Sequence, residues 1–394
     1  MTLPDSEILN NIVSRVFRYD DVTMGDPKKG YFLRYRGQLL GDSIAAYDQL
    51  AEALRPYDVT PLFRLEEGRQ IILLVRGVIH PKPSKVWVNL LLFGLTLVSV
   101  LFAGAVSSYE GPVPNDFPGQ IWALISHIGV GWPFAVSLLA ILLAHEFGHY
   151  FVGRARGAAV TLPYFIPFPF SPIGTMGAFI QLKSIPRNKR ALLDLAVAGP
   201  LAGLVVAIPV LLLGLSQSSL GTVTSFPGSF MEGNSLLYLL AKLAVFGKLL
   251  PAPGDLSGLS LLVHWISFFF VGRPSPLGAT DVFISPVAWA GWVGLLVTFL
   301  NLIPAGQLDG GHVIYAIFGK RVNRIVPVIL IFTVLLGFFW SGWWLWSFLI
   351  FLFGRSHAEP LDQITQLDSR RKALGFLMLI IFLLVLMPVP FITY

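Results

Sequence analysis

The run AHEFGHY, residues 144–150, sets two histidines and a glutamate into an otherwise apolar stretch. On a helix, His145 and His149 stand four residues apart, so their rings leave one face about a turn apart and can grip a single metal ion. Glu146 projects beside them. This H-E-x-x-H arrangement suits Zn²⁺: two neutral imidazoles coordinate, and the carboxylate takes a proton from an activated water and can pass it to a leaving amine. The alternative is a chance pentapeptide, and the apolar surroundings weaken it. An unpaired acid in the middle of a membrane span costs about 2.5 to 3.5 kcal/mol even on insertion scales.

A catalytic zinc needs a third protein ligand and an open fourth position. The chain has no cysteine, so thiolate sites and disulfides are excluded. The remaining candidates are His80, His127, His264, His312, His357 and Asp309. Asp309 lies in NLIPAGQLDGGH, where Pro304, Gly306, Gly310 and Gly311 interrupt a long apolar run. Broken backbone at membrane depth is tolerated only where protein buries it or water reaches it, so Asp309 is expected to line a cavity. His312, three residues on, is expected to pack near a site rather than bind metal, and His264 to sit at an interface.

The elements that must position these residues follow from composition. Of 394 residues, 55% are hydrophobic and 13% charged, with mean hydropathy +0.71, which predicts a polytopic α-helical membrane protein. The first 85 residues carry 12 of the 28 Lys and Arg and 11 of the 22 Asp and Glu. A small soluble α+β domain over 1–84 is therefore expected, with a strand in YFLRYRGQL, a helix in SIAAYDQLAEAL and two strands around Glu67 and Gly68. Beyond it, apolar runs near the ~20 residues that cross a bilayer predict spans at 86–107, 132–152, 191–214, 282–303, 325–339, 342–354 and 374–390, a total of six to eight. The stretch 215–281 is expected to dip into the interface as amphipathic or re-entrant helices.

Segment 153–190 carries Arg154, Arg156, Lys183, Arg187, Lys189 and Arg190 with no acid, whereas 108–131 carries Glu110 and Asp116 with no base. The former is expected inside, as are the N-terminal domain, next to Lys82 and Lys85, and the segment with Lys320, Arg321 and Arg324. His145 then lies about 10 Å from the inner end of its span, and the span that starts near 282 delivers Asp309 to the same side. The net charge of +6 comes largely from helix ends and forms no basic stripe, so nucleic-acid binding is excluded as a class.

AHEFGHY together with NLIPAGQLDGGH resembles the site-2 protease family of intramembrane zinc metalloproteases, whose signatures are HExxH and a distant NPxxxLDG-type element. The second reads here Asn301, Pro304, Leu308, Asp309, Gly310. GTMGAF (174–179), DLAVAGPLAGLV (194–205) and GNSLLY (233–238) are similar to segments of the family, the last to its chloroplast and cyanobacterial branch. The resemblance covers roughly 85–320, leaving 321–394 as additional C-terminal transmembrane helices, and PDZ or CBS modules of some relatives are not visible. It implies one zinc per chain held by His145, His149 and Asp309, with Glu146 as catalytic base and Asn301 placing substrate or polarising its carbonyl. It also implies regulated proteolysis of a transmembrane segment in another membrane protein.

The run 174–183 alternates with period two, as a strand does. Such an edge beside the metal would hold an unwound substrate extended, with Gly174, Met176 and Gly177 meeting it; a hairpin that merely packs on the interface is the equal alternative. LPYFIPFPFSPIG, ahead of it, reads as an extended interfacial segment. The contrasting functions are a zinc-binding membrane transporter and a non-catalytic membrane scaffold. The N-terminus has neither a signal-peptide core nor a transit-peptide composition, which predicts a bacterial cytoplasmic membrane. The N-terminal domain is open to a regulatory partner.

Overall fold

The computed structural model describes residues 5–25, 30–78, 83–112, 114–224, 230–254, 256–273, 278–354 and 359–393. Lys82 lies outside them. The chain opens with α1 (Ser6–Ser14), β1 (Phe17–Met24), β2 (Leu33–Leu39), α2 (Ser43–Leu54), β3 (Val59–Glu66) and β4 (Arg69–Arg76). The strands form one antiparallel sheet in the order β1-β2-β4-β3. Along β3, Val59, Pro61 and Phe63 turn inward, and α2, capped by the Asp42 carboxylate on the Ile44 and Ala45 N–H groups, packs on that strand. The module has its own core around Leu9, Phe17, Tyr35, Leu50 and Phe63. Pro61, which has no N–H to give, is accommodated because β3 is the edge strand.

Next come α3 (Val86–Ser108), α4 (Phe117–Ser126), α5 (Trp132–Ala155), β5 (Tyr164–Pro167), β6 (Thr175–Phe179) and α6 (Lys189–Ser216). The helices α3, α5 and α6 are long and apolar enough to cross a membrane, and the chain is a polytopic membrane protein. β5 and β6 pair as an antiparallel hairpin between α5 and α6. The interfacial segment is thus partly a strand: its aromatic and proline residues deny it a helix, and 175–179 supplies the partner.

The chain continues through β7 (Ser219–Thr222), β8 (Phe230–Glu232), α7 (Leu236–Phe246), α8 (Gly258–Val271) and β9 (Thr280–Phe283) to α9 (Pro286–Asn301) and α10 (Asp309–Phe318). It closes with α11 (Val326–Leu336), α12 (Gly342–Phe353), α13 (Ser369–Val385) and β10 (Phe391–Thr393). β7 pairs with β9 and β8 with β10. Where an apolar span was expected from 282, β9 and the Ser285 cap take the first residues, so α9 has only 16. The expected span 374–390 also stops early: α13 ends at Val385, ahead of Pro388 and Pro390, which cannot continue a helix. α11 and α12 have 11 and 12 residues.

The core that positions the site is α5, α6 and α9 packed on one another, with α10 against α6. Close approach is built in by small residues. A Cβ on Gly148 of α5 would lie 2.5 Å from the Ala198 carbonyl of α6, and one on Gly291 of α9 would lie 2.6 Å from Leu211 Cα of α6. α13 packs on α6, α7, α9 and α10, so residues beyond 321 are part of this body rather than an appendage to it.

Candidate metal centre

His145 and His149 stand a turn apart on α5, both buried, with Glu146 buried beside them. Asp309 arrives from the other half of the core. α9 ends at Asn301, the chain turns over 302–308, and Asp309 is the first residue of α10, where the helix dipole favours negative charge. This turn is folded so tightly onto α10 that a Cβ on Gly310 would lie 2.0 Å from the Leu302 carbonyl, and one on Gly311 would lie 2.4 Å from the Gly306 carbonyl. Two adjacent glycines are therefore what let the acid reach the histidines.

His145 Nε2 and His149 Nε2 are 3.2 Å apart, and Asp309 Oδ2 lies 3.5 Å from the first and 3.2 Å from the second. Bonds of roughly 2.0 to 2.1 Å in a tetrahedron separate the ligand atoms by roughly 3.3 to 3.4 Å. The near-equilateral triangle matches three protein ligands with a fourth vertex left for water. Protonation agrees with this. His149 Nδ1 is 2.8 Å from the Leu195 carbonyl oxygen, which can only accept, so Nδ1 carries a proton and Nε2 is the nitrogen left to offer a lone pair to a metal. The residues present fit a zinc ion.

The helix α6 completes the cradle from behind. A Cβ on Gly199 would sit 2.0 Å from His149 Nε2, and one on Gly203 would sit 3.3 Å from His145. Leu195, Gly199 and Gly203 escape a reading of side-chain chemistry because one acts by its carbonyl and two by having no side chain. The signal available was their four-residue spacing in 194–205.

Ile180, just past β6, lines the same pocket as the Glu146 carboxylate, whose Oε2 is buried without a hydrogen-bond partner among the described residues. A cavity of about 700 Å³ opens here, lined by His145, Glu146, His149, Asn301 and Asp309 and walled by the continuous run 178–186. Asn301 Nδ2 is 3.5 Å from His145 Nε2. Gly174, Met176 and Gly177, expected to meet a substrate, are not among the lining residues. Gly174 instead abuts α3, its carbonyl accepting from the Ser99 hydroxyl at 2.6 Å, and the wall begins at Ala178, one residue past Gly177.

His312 lines the cavity. His127 binds the Ala123 carbonyl and stacks near Tyr109, and His264 stacks on Phe268; both are away from the site. His80 and His357 lie outside the described residues.

Residues 133–339, just over half of the chain, match peptidase family M50. The chain belongs to that family. The matched segment contains both AHEFGHY and NLIPAGQLDGGH, so family M50, the site-2 proteases, is the one that the two motifs together resemble. Three curated relatives agree. The probable zinc metalloprotease EGY2, chloroplastic, of Arabidopsis thaliana is 28% identical over 99% of this chain and 66% of its own length. The protein of the same name from Oryza sativa subsp. japonica is 28% identical over 96% of this chain and 65% of its own. The probable zinc metalloprotease EGY1, chloroplastic, of Arabidopsis thaliana is 30% identical over 80% of this chain and 56% of its own. The chain thus spans less than two thirds of the length of these M50 relatives.

Proposed function

We propose that this chain is an intramembrane zinc endopeptidase that hydrolyses a peptide bond in or near a transmembrane segment of another membrane protein. The observation that carries the reading is the ligand triangle of His145, His149 and Asp309 with the unpaired Glu146 Oε2 beside it, both facing one cavity. Zinc bound there supplies a Lewis acid that activates water and polarises the scissile carbonyl. Glu146 takes the proton of the attacking water as its oxygen bonds to the carbonyl carbon, then hands it to the leaving amine as the C–N bond breaks. Asn301, on the same side of the cavity, donates from Nδ2 to the carbonyl oxygen as charge develops on it.

The run 178–186 holds the substrate extended by backbone pairing, with Gly174, Met176 and Gly177 setting the hairpin's bend and outer face. Met176 is two-thirds exposed and free to meet a substrate from the membrane side. A transporter needs a series of ligands along a path, whereas His145, His149 and Asp309 are the one such group among the described residues.

The domain division 1–84, 85–320 and 321–394, the six to eight spans, and the cytoplasmic placing of the N-terminus and site belong to this reading. The short helices α9, α11 and α12 cross in it with help from their flanking turns. The relatives are named chloroplastic, which leaves the expectation of a bacterial cytoplasmic membrane without support.

The test is elemental analysis of detergent-purified protein together with cleavage of a helical membrane peptide. Wild type should hold one zinc per chain and cleave. Glu146→Gln should keep the zinc and lose about 10³-fold or more in kcat, and Asp309→Ala should lose the zinc. Full zinc retention in Asp309→Ala would remove the third ligand from this account.

A further inference from the structure

The segment between α12 and α13, residues 359–368, is hydrogen-bonded to three separate bodies. Toward the N-terminal module, the Phe63 N–H of β3 donates to the Leu361 carbonyl at 2.9 Å, and the Gln363 N–H donates to the Phe63 carbonyl at 3.1 Å. The segment thus runs parallel to β3 along its outer edge, and the Thr365 hydroxyl lies 2.7 Å from that of Ser43, at the start of α2. Toward the cavity wall, the Leu361 N–H donates to Pro186 at 3.0 Å and the Asp362 N–H to Arg187 at 2.7 Å. Pro186 is the last residue of the run that lines the cavity. Toward the metal centre, Gln363 Nε2 donates to the Tyr315 hydroxyl at 3.1 Å, on the helix that begins with Asp309.

Its polar side chains are buried: Asp362, Gln363 and Thr365 are 1%, 5% and 3% exposed. Asp362 ties the turn together by accepting from the Ile364 and Thr365 N–H groups. Buried polar groups are costly to leave unpaired, and Thr365 and Gln363 each have one side-chain partner on another body, Ser43 and Tyr315. The N-terminal sheet cannot leave its seat without stranding the Ser43 hydroxyl and the backbone groups of Phe63, Leu361 and Gln363, in a segment that also holds Pro186, Arg187 and Tyr315.

We propose that residues 359–367 are a strap through which the N-terminal module holds the cavity wall and the Asp309 helix in place, with Asp362, Gln363 and Thr365 as positioning residues for substrate binding. The module thereby gains a role: its seating sets whether the wall can receive an extended peptide. The kinetic part rests on the protease reading above; the structural part does not.

The experiment uses the full chain in detergent. Thr365→Val keeps the shape and removes the hydroxyl that meets Ser43 and also donates to the Asp362 carboxylate; a disulfide joining positions 43 and 365 restores the first of these links alone. Amides of 178–188 should then exchange with deuterium about fivefold to tenfold faster. KM for a helical membrane peptide should rise by a similar factor, with kcat within about twofold and zinc per chain unchanged. Thr365→Ser should restore both. Because the chain has no cysteine, Ser43→Cys with Thr365→Cys can be oxidised to lock the strap, and the locked protein should show wild-type exchange and KM. Unchanged exchange and KM in Thr365→Val would overturn the proposal. So would a locked protein that is inactive until reduced, which would make the segment a lid that must open. A wild type that cleaves nothing would count against the protease reading, and the exchange measurement would still decide the strap.

Discussion

Two clusters of buried ionisable side chains lie at opposite ends of α6 and α9, and they differ in whether their charges are already answered. At one end Lys242, fully buried, has Nζ 3.4 Å from Asp281 Oδ1 and 3.8 Å from Glu232 Oε1, and lies 4.4 Å from the centre of the Tyr238 ring. The Tyr238 hydroxyl donates to Glu232 at 2.8 Å. Each charged member faces an opposite charge. At the other end, two imidazole nitrogens approach to 3.2 Å, and a carboxylate oxygen of Glu146 has no partner among the described residues. Burial and charge are common to both. What marks the second as a site is an unmet demand, for a cation between the nitrogens and a proton donor at the carboxylate.

Removing one side chain at each end sharpens that contrast. Lys242→Ala leaves two buried carboxylates facing each other and should cost about 3 to 5 kcal/mol of stability, read by thermal or denaturant unfolding in detergent, while the folded fraction keeps its zinc. Loss of zinc in folded Lys242→Ala protein would mean that the two ends are not independent. Asn301→Ala should do the reverse: unfolding unchanged, zinc retained, and kcat lower by about 10² to 10³, the usual loss of one donor to a developing oxyanion. A kcat within twofold of wild type would take Asn301 out of the chemistry.

The difference also explains which parts were legible in the sequence. His145, Glu146 and His149 declare themselves because their spacing is local and the helix period does the rest. Asp309 is legible because the prolines and glycines around it make no sense against lipid. The contributions of α6 are not, since Leu195 acts through a carbonyl that every residue has and Gly199 through an absent side chain. Residues 359–367 carry no signal of their role in the sequence, because their partners, Phe63, Pro186 and Tyr315, are far away in the chain. The span lengths misled for a related reason: hydropathy runs through Val282 and Phe283, but the backbone of β9 has a strand partner in β7 and leaves the helix to begin at Pro286. In the N-terminal module α1 and β1 were not foreseen; β1 turns most of its residues to solvent and lacks the alternation that betrays β3.

The next two substitutions act on the metal end without touching a charge. Gly199→Ala places a methyl group where His149 Nε2 already is, 2.0 Å away, and that ring cannot retreat without giving up its bond to the Leu195 carbonyl. Zinc affinity should fall by about 10- to 100-fold, in the range seen when the partners that orient a ligand histidine are lost, measured by competition with a chelator of known affinity.

Gly203→Ala is the smallest of the four. The same helix lies against the same pair of histidines, one turn further on, but the new Cβ would stand 3.3 Å from His145 Cβ and Nδ1. That is tight contact rather than overlap, and a few tenths of an ångström of helix movement relieves it. Zinc affinity should change by less than about threefold, since core overpacking of this size is absorbed by small backbone shifts. The two alanines have the same added volume and the same intrinsic effect on helix stability, so their ratio isolates position. If Gly203→Ala lost zinc as badly as Gly199→Ala, the cause would be the general crossing of α5 and α6, which Gly148 also serves, rather than the placing of one imidazole.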